Sequence, residues 1–111
     1  EPDIVETVKF MLELRNYEVS AAYDGSEGIE QAAKEKPDLI LLDIMMPGMD
    51  GYTVCHRLKA NKKTKDIPIV MLTAKGESDA VTKSYNAGAN DYIVKPFNPS
   101  ILLEKVRKWM A

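Results

Sequence analysis

Three short hydrophobic runs, each ending at one polar residue, constrain the fold of this chain more than any other feature. A run of apolar residues that stops at a polar side chain is typical of a buried parallel strand, which places that side chain at the rim of a sheet. The runs that end at Asp43, Thr73 and Lys95 follow this pattern. We therefore expect a carboxylate, a hydroxyl and an ammonium group at one edge, where open α/β sheets bind ligands.

The segments between these runs alternate between helix-like and strand-like patterns, which favours βα units on a mostly parallel sheet. A first helix is predicted to begin at Pro2 and to end near Asn16, before a strand from Glu18 to Tyr23. Pro37 is expected to end the second helix, and Gly88 is expected to close the fourth in a left-handed conformation. The fold class predicted is α/β with a doubly wound parallel sheet.

The composition is that of one soluble globular domain, which we assign to residues 1–111. Apolar residues make up 45% and charged residues 29%, which excludes a disordered chain. The formal net charge of -2 disfavours direct binding to nucleic acid. The sequence has one cysteine, Cys55, and no long apolar stretch, so we expect a cytoplasmic protein without membrane contact.

The polar residues at the strand ends are suited to phosphoryl chemistry. A carboxylate nucleophile that accepts a phosphoryl group needs backbone donors, a cation and a hydroxyl group to bind the new oxygens. Thr73 and Lys95 would supply the last two, and the turn-rich loop 47–51 after Asp43 would supply free N–H groups. Asp43 could otherwise be a helix cap or an ion-pair partner.

The joint occurrence of four motifs resembles one family, the receiver domains of two-component response regulators, whose fold is flavodoxin-like. They are Leu-Ile-Leu-Leu-Asp-Ile-Met-Met-Pro-Gly-Met-Asp-Gly around Asp43, Ile-Pro-Ile-Val-Met-Leu-Thr-Ala at Thr73, Gly-Ala-Asn-Asp-Tyr ending at Tyr92, and Lys-Pro-Phe at Lys95. The resemblance implies that Asp43 is the phosphoacceptor and that Lys95 pairs with its charge and then with the phosphate. It also implies that Thr73 hydrogen-bonds the phosphate and that Tyr92 is the switch aromatic residue.

The same resemblance implies a Mg²⁺ site to which Asp43 and the backbone carbonyl of Met45 contribute, since phosphoryl transfer needs its developing charge neutralised. Met45 and Lys75, each two positions beyond a site residue, are expected to tune the rate of hydrolysis. The bond between Lys95 and Pro96 is expected to be cis, as in the family.

The sequence departs from the family pattern at its start. Receiver domains normally begin with a hydrophobic strand that ends in a pair of acidic residues, and residues 1–111 contain neither, so they are truncated relative to the family. In the family's strand order, 2-1-3-4-5, that strand is interior. We expect the Mg²⁺ site to be weakened or lost if the acidic pair is truly absent. Upstream residues and exchange of elements with a second copy both remain open.

We predict a phosphoacceptor domain that receives its phosphoryl group from a histidine kinase or a phosphotransfer protein. It would catalyse its own phosphorylation and slow dephosphorylation, and would not be an enzyme acting on outside substrates. Its output partner would bind the face formed by the fourth helix, the last strand and the final helix. The alternative is a receiver-like module that is not phosphorylated and acts through dimerisation. A phosphatase with an aspartate nucleophile is disfavoured, because Met45 occupies the position of its second acid.

Overall fold

The computed structural model describes residues 2–45, 48–74 and 80–110. In chain order the elements are α1 (Pro2–Glu13), α2 (Gly25–Glu35), β1 (Ile40–Asp43), α3 (Gly51–Ala60), β2 (Ile69–Ala74), α4 (Ala80–Asn86), β3 (Asp91–Lys95) and α5 (Pro99–Met110). Within the described ranges the strands form one parallel sheet in the order β1-β2-β3. The doubly wound α/β prediction is confirmed.

Local sequence signals set the helix boundaries. The side chain of Asp24 accepts a hydrogen bond from a first-turn N–H of α2, and that of Asp50 does the same for α3, so both residues act as N-caps. Lys36, just before Pro37, ends α2 in the left-handed region with φ of 49°. Gly88 has φ of 100°, and the bond between Lys95 and Pro96 is cis, both as predicted.

The sheet carries a hydrophobic core on each face because side chains alternate along a strand. On one face, the even-numbered side chains Val70 and Leu72 of β2 pack with residues of α1 and α5. On the other, Ile69 and Met71 pack with residues of α3. All four are at most 4% exposed. This burial on both faces is the reason that β2 is hydrophobic without alternation.

The predicted strand from Glu18 to Tyr23 is wrong, because these residues adopt no regular strand structure. β1 pairs with β2 along one side, and a cavity of about 500 Å³ lies between β1, α1 and the segment 18–23. Val19, Ala21 and Leu41 are among its lining residues. A strand exists only where a neighbour accepts its backbone hydrogen bonds, and the cavity separates this segment from β1.

Each described helix is too short or too polar to cross a membrane.

Candidate phosphoacceptor site

The carboxylate of Asp43 and the ammonium group of Lys95 form the centre of the site. Lys95 Nζ lies 2.9 Å from Asp43 Oδ1 and 3.1 Å from Oδ2, so one cation contacts both carboxylate oxygens. Asp43 is 8% exposed, and the side chain of Lys95 is 14% exposed. This pair is therefore largely shielded from water, where a charge-assisted hydrogen bond is stronger than at an open surface.

The strand register explains how residues 52 positions apart meet. Asp43 lies opposite Leu72 of β2, and Lys95 lies opposite Ala74 at the end of the same strand. Both residues therefore lie at the carboxyl edge of the sheet, on either side of β2. The long side chain of Lys95 reaches across the intervening strand to the shorter aspartate.

A tight loop after β1 positions a backbone donor at the carboxylate. The Met45 N–H donates to Asp43 Oδ1 at 2.8 Å. The loop returns to α3 through a hydrogen bond from the Gly51 N–H to the Ile44 carbonyl at 3.2 Å. A Cβ atom on Gly51 would lie 2.5 Å from Ile44 Cα, so only glycine fits where α3 begins beside the site.

Thr73 lies at the same edge but points its hydroxyl elsewhere. Its side chain is fully buried, and Oγ1 lies 3.5 Å from the Ile93 carbonyl oxygen, at the outer limit of a hydrogen bond. The structure thus brings Asp43 and Lys95 into direct contact, and it gives Thr73 a backbone partner on β3.

Tyr92 lies on the same face of the sheet as Thr73. Its Cα partner on β2 is Met71, and Thr73 follows two positions later, so the two side chains are diagonal neighbours. The half-buried ring of Tyr92 forms a T-shaped contact with the Tyr85 ring, with centroids 6.0 Å apart and an interplanar angle of 88°. Lys105 Nζ lies 5.8 Å from the centroid of the Tyr92 ring.

Of the two residues predicted to tune hydrolysis, Met45 is among the described residues. Met45 is 60% exposed, and its backbone N–H donates to Asp43, so this residue adjoins the site. Lys75 lies outside the described residues.

Oxygen donors for a metal ion are few. Within residues 2–45, 48–74 and 80–110, no group of three or more His, Cys, Asp or Glu side chains could hold one. The carboxylate of Asp43 and the carbonyl of Met45 are hard oxygen donors of the kind that Mg²⁺ prefers, and Mg²⁺ usually retains several waters. The donor types therefore fit a magnesium ion that is completed by water and by the phosphate of a donor.

A network around Asp91 was not identified from the sequence. Asp91 begins β3, is 4% exposed, and accepts hydrogen bonds at Oδ1 from Lys105 Nζ (2.8 Å) and at Oδ2 from Trp109 Nε1 (2.9 Å). Lys108 Nζ lies 3.6 Å from Oδ2. The spacing of these three residues, which share one face of α5, was the available signal, but it does not indicate which acid they face.

The environment of Asp91 holds its pKa at about 2, below the ordinary 3.8. Burial alone would raise this pKa, because it disfavours the charged form. The hydrogen bonds from Lys105, from Trp109 and from the Tyr92 N–H together outweigh burial, and the charge of Lys105 adds to them. Asp91 is therefore a firmly ionised anchor between β3 and α5.

Comparisons with known proteins find relatives along almost the whole chain. Residues 1–107 match a family model described as the response regulator receiver domain. The chain is 43% identical over 107 residues to the DNA-binding dual master transcriptional regulator RpaA of Synechocystis sp., covering 96% of this chain and 44% of that protein. It is also 43% identical to the transcriptional regulatory protein ResD of Bacillus subtilis, covering 96% and 43% respectively. The chain thus spans less than half the length of these two relatives.

Solved structures resemble the fold along almost the whole chain. A putative response regulator from Chloroflexus aurantiacus has a TM-score of 0.94 and 39% identity, covering 99% of this chain and 90% of that one. The receiver domain of sensor histidine kinase PA1611 from Pseudomonas aeruginosa has a TM-score of 0.90 and 29% identity, with the same coverage. That structure contains a magnesium ion coordinated in its active site cleft.

Proposed function

The chain belongs to the response regulator receiver domain family of two-component systems, and on that premise we propose that it accepts a phosphoryl group on Asp43. The observation that carries the proposal is the contact of Lys95 Nζ with both oxygens of the Asp43 carboxylate. The carboxylate is shielded from water and held by one cation, with a backbone N–H beside it. After transfer, the same cation and N–H could pair with the negative charge of the phosphoryl group.

The transfer proceeds by attack of an Asp43 carboxylate oxygen on the phosphorus of a phosphohistidine. The new P–O bond forms as the P–N bond breaks, and the imidazole leaves with that electron pair, taking up a proton from solvent if the ring was neutral. Lys95 then pairs with the phosphoryl oxygens instead of with the free carboxylate, and the Met45 N–H is close enough to donate to one of them. Slow hydrolysis of the acyl phosphate returns the resting state.

Magnesium is the proposed cofactor, with the carboxylate of Asp43 and the carbonyl of Met45 as its protein ligands. When bound, the ion would neutralise negative charge that develops on the transferred group. Support comes from the oxygen chemistry of the two donors and from the magnesium ion in the related receiver domain of PA1611. Since these two residues provide one oxygen each, the affinity of the site for Mg²⁺ should depend strongly on the oxygens that the phosphodonor adds.

Phosphorylation is proposed to change the surface that the domain presents. New negative charge on Asp43 would attract the Thr73 hydroxyl, and the diagonal neighbour Tyr92 would move into the vacated space. Because Tyr92 contacts α4 and α5, its movement would change the face formed by α4, β3 and α5. The proposed partners are a cytoplasmic histidine kinase or phosphotransfer protein and an output protein or domain on that face. Met45 and Lys75 are the proposed determinants of phosphoryl lifetime.

Intact mass spectrometry after incubation with Mg²⁺ and acetyl phosphate tests the proposal. We expect one phosphoryl adduct on the wild-type chain and none on Asp43→Asn. Asp38→Asn is the matched control, since Asp38 is an exposed aspartate just before the opposite end of β1 and should leave the adduct intact. An adduct that persists in Asp43→Asn, or no adduct on a chain that circular dichroism shows to be folded, would contradict the assignment.

A further inference from the structure

The ring of Tyr92 is contacted by side chains from two different helices. Tyr85 of α4 presents an edge-to-face contact at 6.0 Å, and Lys105 of α5 places its ammonium group 5.8 Å from the ring centroid. We propose that Tyr85 and Lys105 are positioning residues that hold Tyr92 in its resting place and so set how easily the switch operates. This proposal rests on the proposed function, in which Tyr92 is the moving aromatic residue.

Tyr92 lies on β3, the last strand in the order of the described sheet, and this location explains how Lys105 of α5 reaches it. β3 pairs with β2 on one side, and the ring of Tyr92 packs on the face covered by α3. The buried residues of α5, Leu102 and Val106, pack on the opposite face. Lys105 must therefore extend around the edge of the sheet to reach the ring, which only a long side chain can do.

Lys105 is itself held in place, which gives its contact with the ring a definite geometry. Its Nζ lies 2.8 Å from Asp91 Oδ1, and its side chain is 27% exposed. Asp91 also accepts a hydrogen bond from the Tyr92 N–H at 2.8 Å. The backbone of Tyr92 and the cation over its ring are thus fixed by the same carboxylate, so the ring is held relative to its own strand.

Movement of the ring toward Thr73 would break both contacts at once. An edge-to-face aromatic pair and a cation over a ring both favour the present position, because the ring quadrupole attracts positive edges and cations. Loss of either contact therefore shifts the resting equilibrium toward the displaced ring. α4 and α5 would each lose one partner, which couples the position of one side chain to two helices of the output face.

The test measures the χ1 rotamer populations of Tyr92 by NMR in protein with labelled tyrosine and without any phosphodonor. The Tyr92 resonances are assigned with Tyr92→Phe. We expect Lys105→Met and Tyr85→Leu each to raise the minor rotamer population about threefold, and the double variant to raise it about tenfold. Lys105→Met keeps the aliphatic stem and removes only the charge. Lys105→Arg should restore the wild-type populations, since it retains a cation.

The matched control is Lys108→Met, because Lys108 also pairs with Asp91, at 3.6 Å, but contacts the ring of Trp109. It should leave the Tyr92 populations unchanged. An equal effect of Lys108→Met would overturn the proposal, since the cause would then be loss of charge around Asp91. Unchanged populations in folded Lys105→Met and Tyr85→Leu would overturn it as well.

The resting-state measurement also distinguishes this proposal from the proposed function. If the rotamer shift occurs but Asp43 takes up no phosphoryl group, the positioning contacts stand and the phosphoacceptor assignment fails. If Asp43 is phosphorylated while the rotamers do not respond, the positioning proposal alone fails.

Discussion

Protonation of Asp91 should destabilise the fold by a predictable amount. Its pKa is about 2 in the folded chain, against 3.8 for an ordinary aspartate. At about 1.4 kcal/mol for each tenfold change in an ionisation constant, the difference stabilises the folded state by about 2 kcal/mol. The side chain is only 6% exposed, so solvent screening reduces this value little.

The sign follows from proton uptake. Because the folded pKa is depressed, the unfolded chain binds the proton first as the pH falls below about 4. The stabilisation is therefore complete above pH 4 and is lost between pH 4 and pH 2. Asp91→Asn, which cannot ionise, should lack this component at every pH.

Urea unfolding followed by far-ultraviolet circular dichroism measures the effect at pH 7, 4, 3 and 2.5. The free energy of unfolding of the wild type should exceed that of Asp91→Asn by at least about 2 kcal/mol at pH 7, and this excess should shrink toward pH 2.5. Other carboxyl groups titrate in both proteins and cancel in the difference. Fluorescence of Trp109, the only tryptophan, gives a second probe.

A difference between the two proteins that stays constant from pH 7 to pH 2.5 would refute the reasoning. It would mean that Asp91 keeps an ordinary pKa despite its contacts with Lys105 and Trp109. Asp38→Asn, at an exposed aspartate, serves as the control and should change the pH dependence far less.

Two further predictions concern packing near the site. Gly51→Ala should destabilise the fold by about 1–3 kcal/mol in urea unfolding, since its Cβ would meet Ile44 Cα at 2.5 Å. Gly28→Ala is the control, because the nearest neighbour of the added Cβ is Ala22 Cβ at 3.7 Å. Alanine there also favours the helix by about 1 kcal/mol. Equal destabilisation by both substitutions would contradict the argument. Burial raises the pKa of the Cys55 thiol to about 11. A chromogenic disulfide reagent should therefore react with Cys55 in the native protein only as fast as the fold opens around it. Immediate stoichiometric reaction without denaturant would show that burial does not protect the Cys55 thiol.

The sequence and the structure agree best where the relevant physics is local. The burial of the strand that ends at Thr73 follows from its continuous apolar run, and the left-handed conformation of Gly88 follows from glycine's lack of a Cβ. The convergence of Asp43 and Lys95 follows from one rule, that parallel strands share a carboxyl edge. The roles of Thr73, Tyr92 and Met45 stay predictions, because they concern a phosphorylated state.

The failures occurred where a residue depends on a distant partner. The segment from Glu18 to Tyr23 has strand-like residues, but pairing requires an adjacent backbone, and a cavity lies there instead. The acid at the start of β3 carried no local sign that Lys105 and Trp109 would reach it from α5. Hydrophobic pattern specifies which face is buried and which residues end a strand, but it does not specify which polar side chains of a helix reach a given strand.

By itself, then, the sequence determined the order of the helices and strands apart from the segment 18–23, the end of α2, the left-handed Gly88 and the family to which the chain belongs. These depend on residue type, period and spacing, which are properties of short segments. Only the tertiary structure decided that Asp91 holds Lys105 and Trp109, and that the ring of Tyr92 contacts both Tyr85 and Lys105. Each of these depends on the distance and direction between atoms far apart in the chain, which are set when the elements pack together.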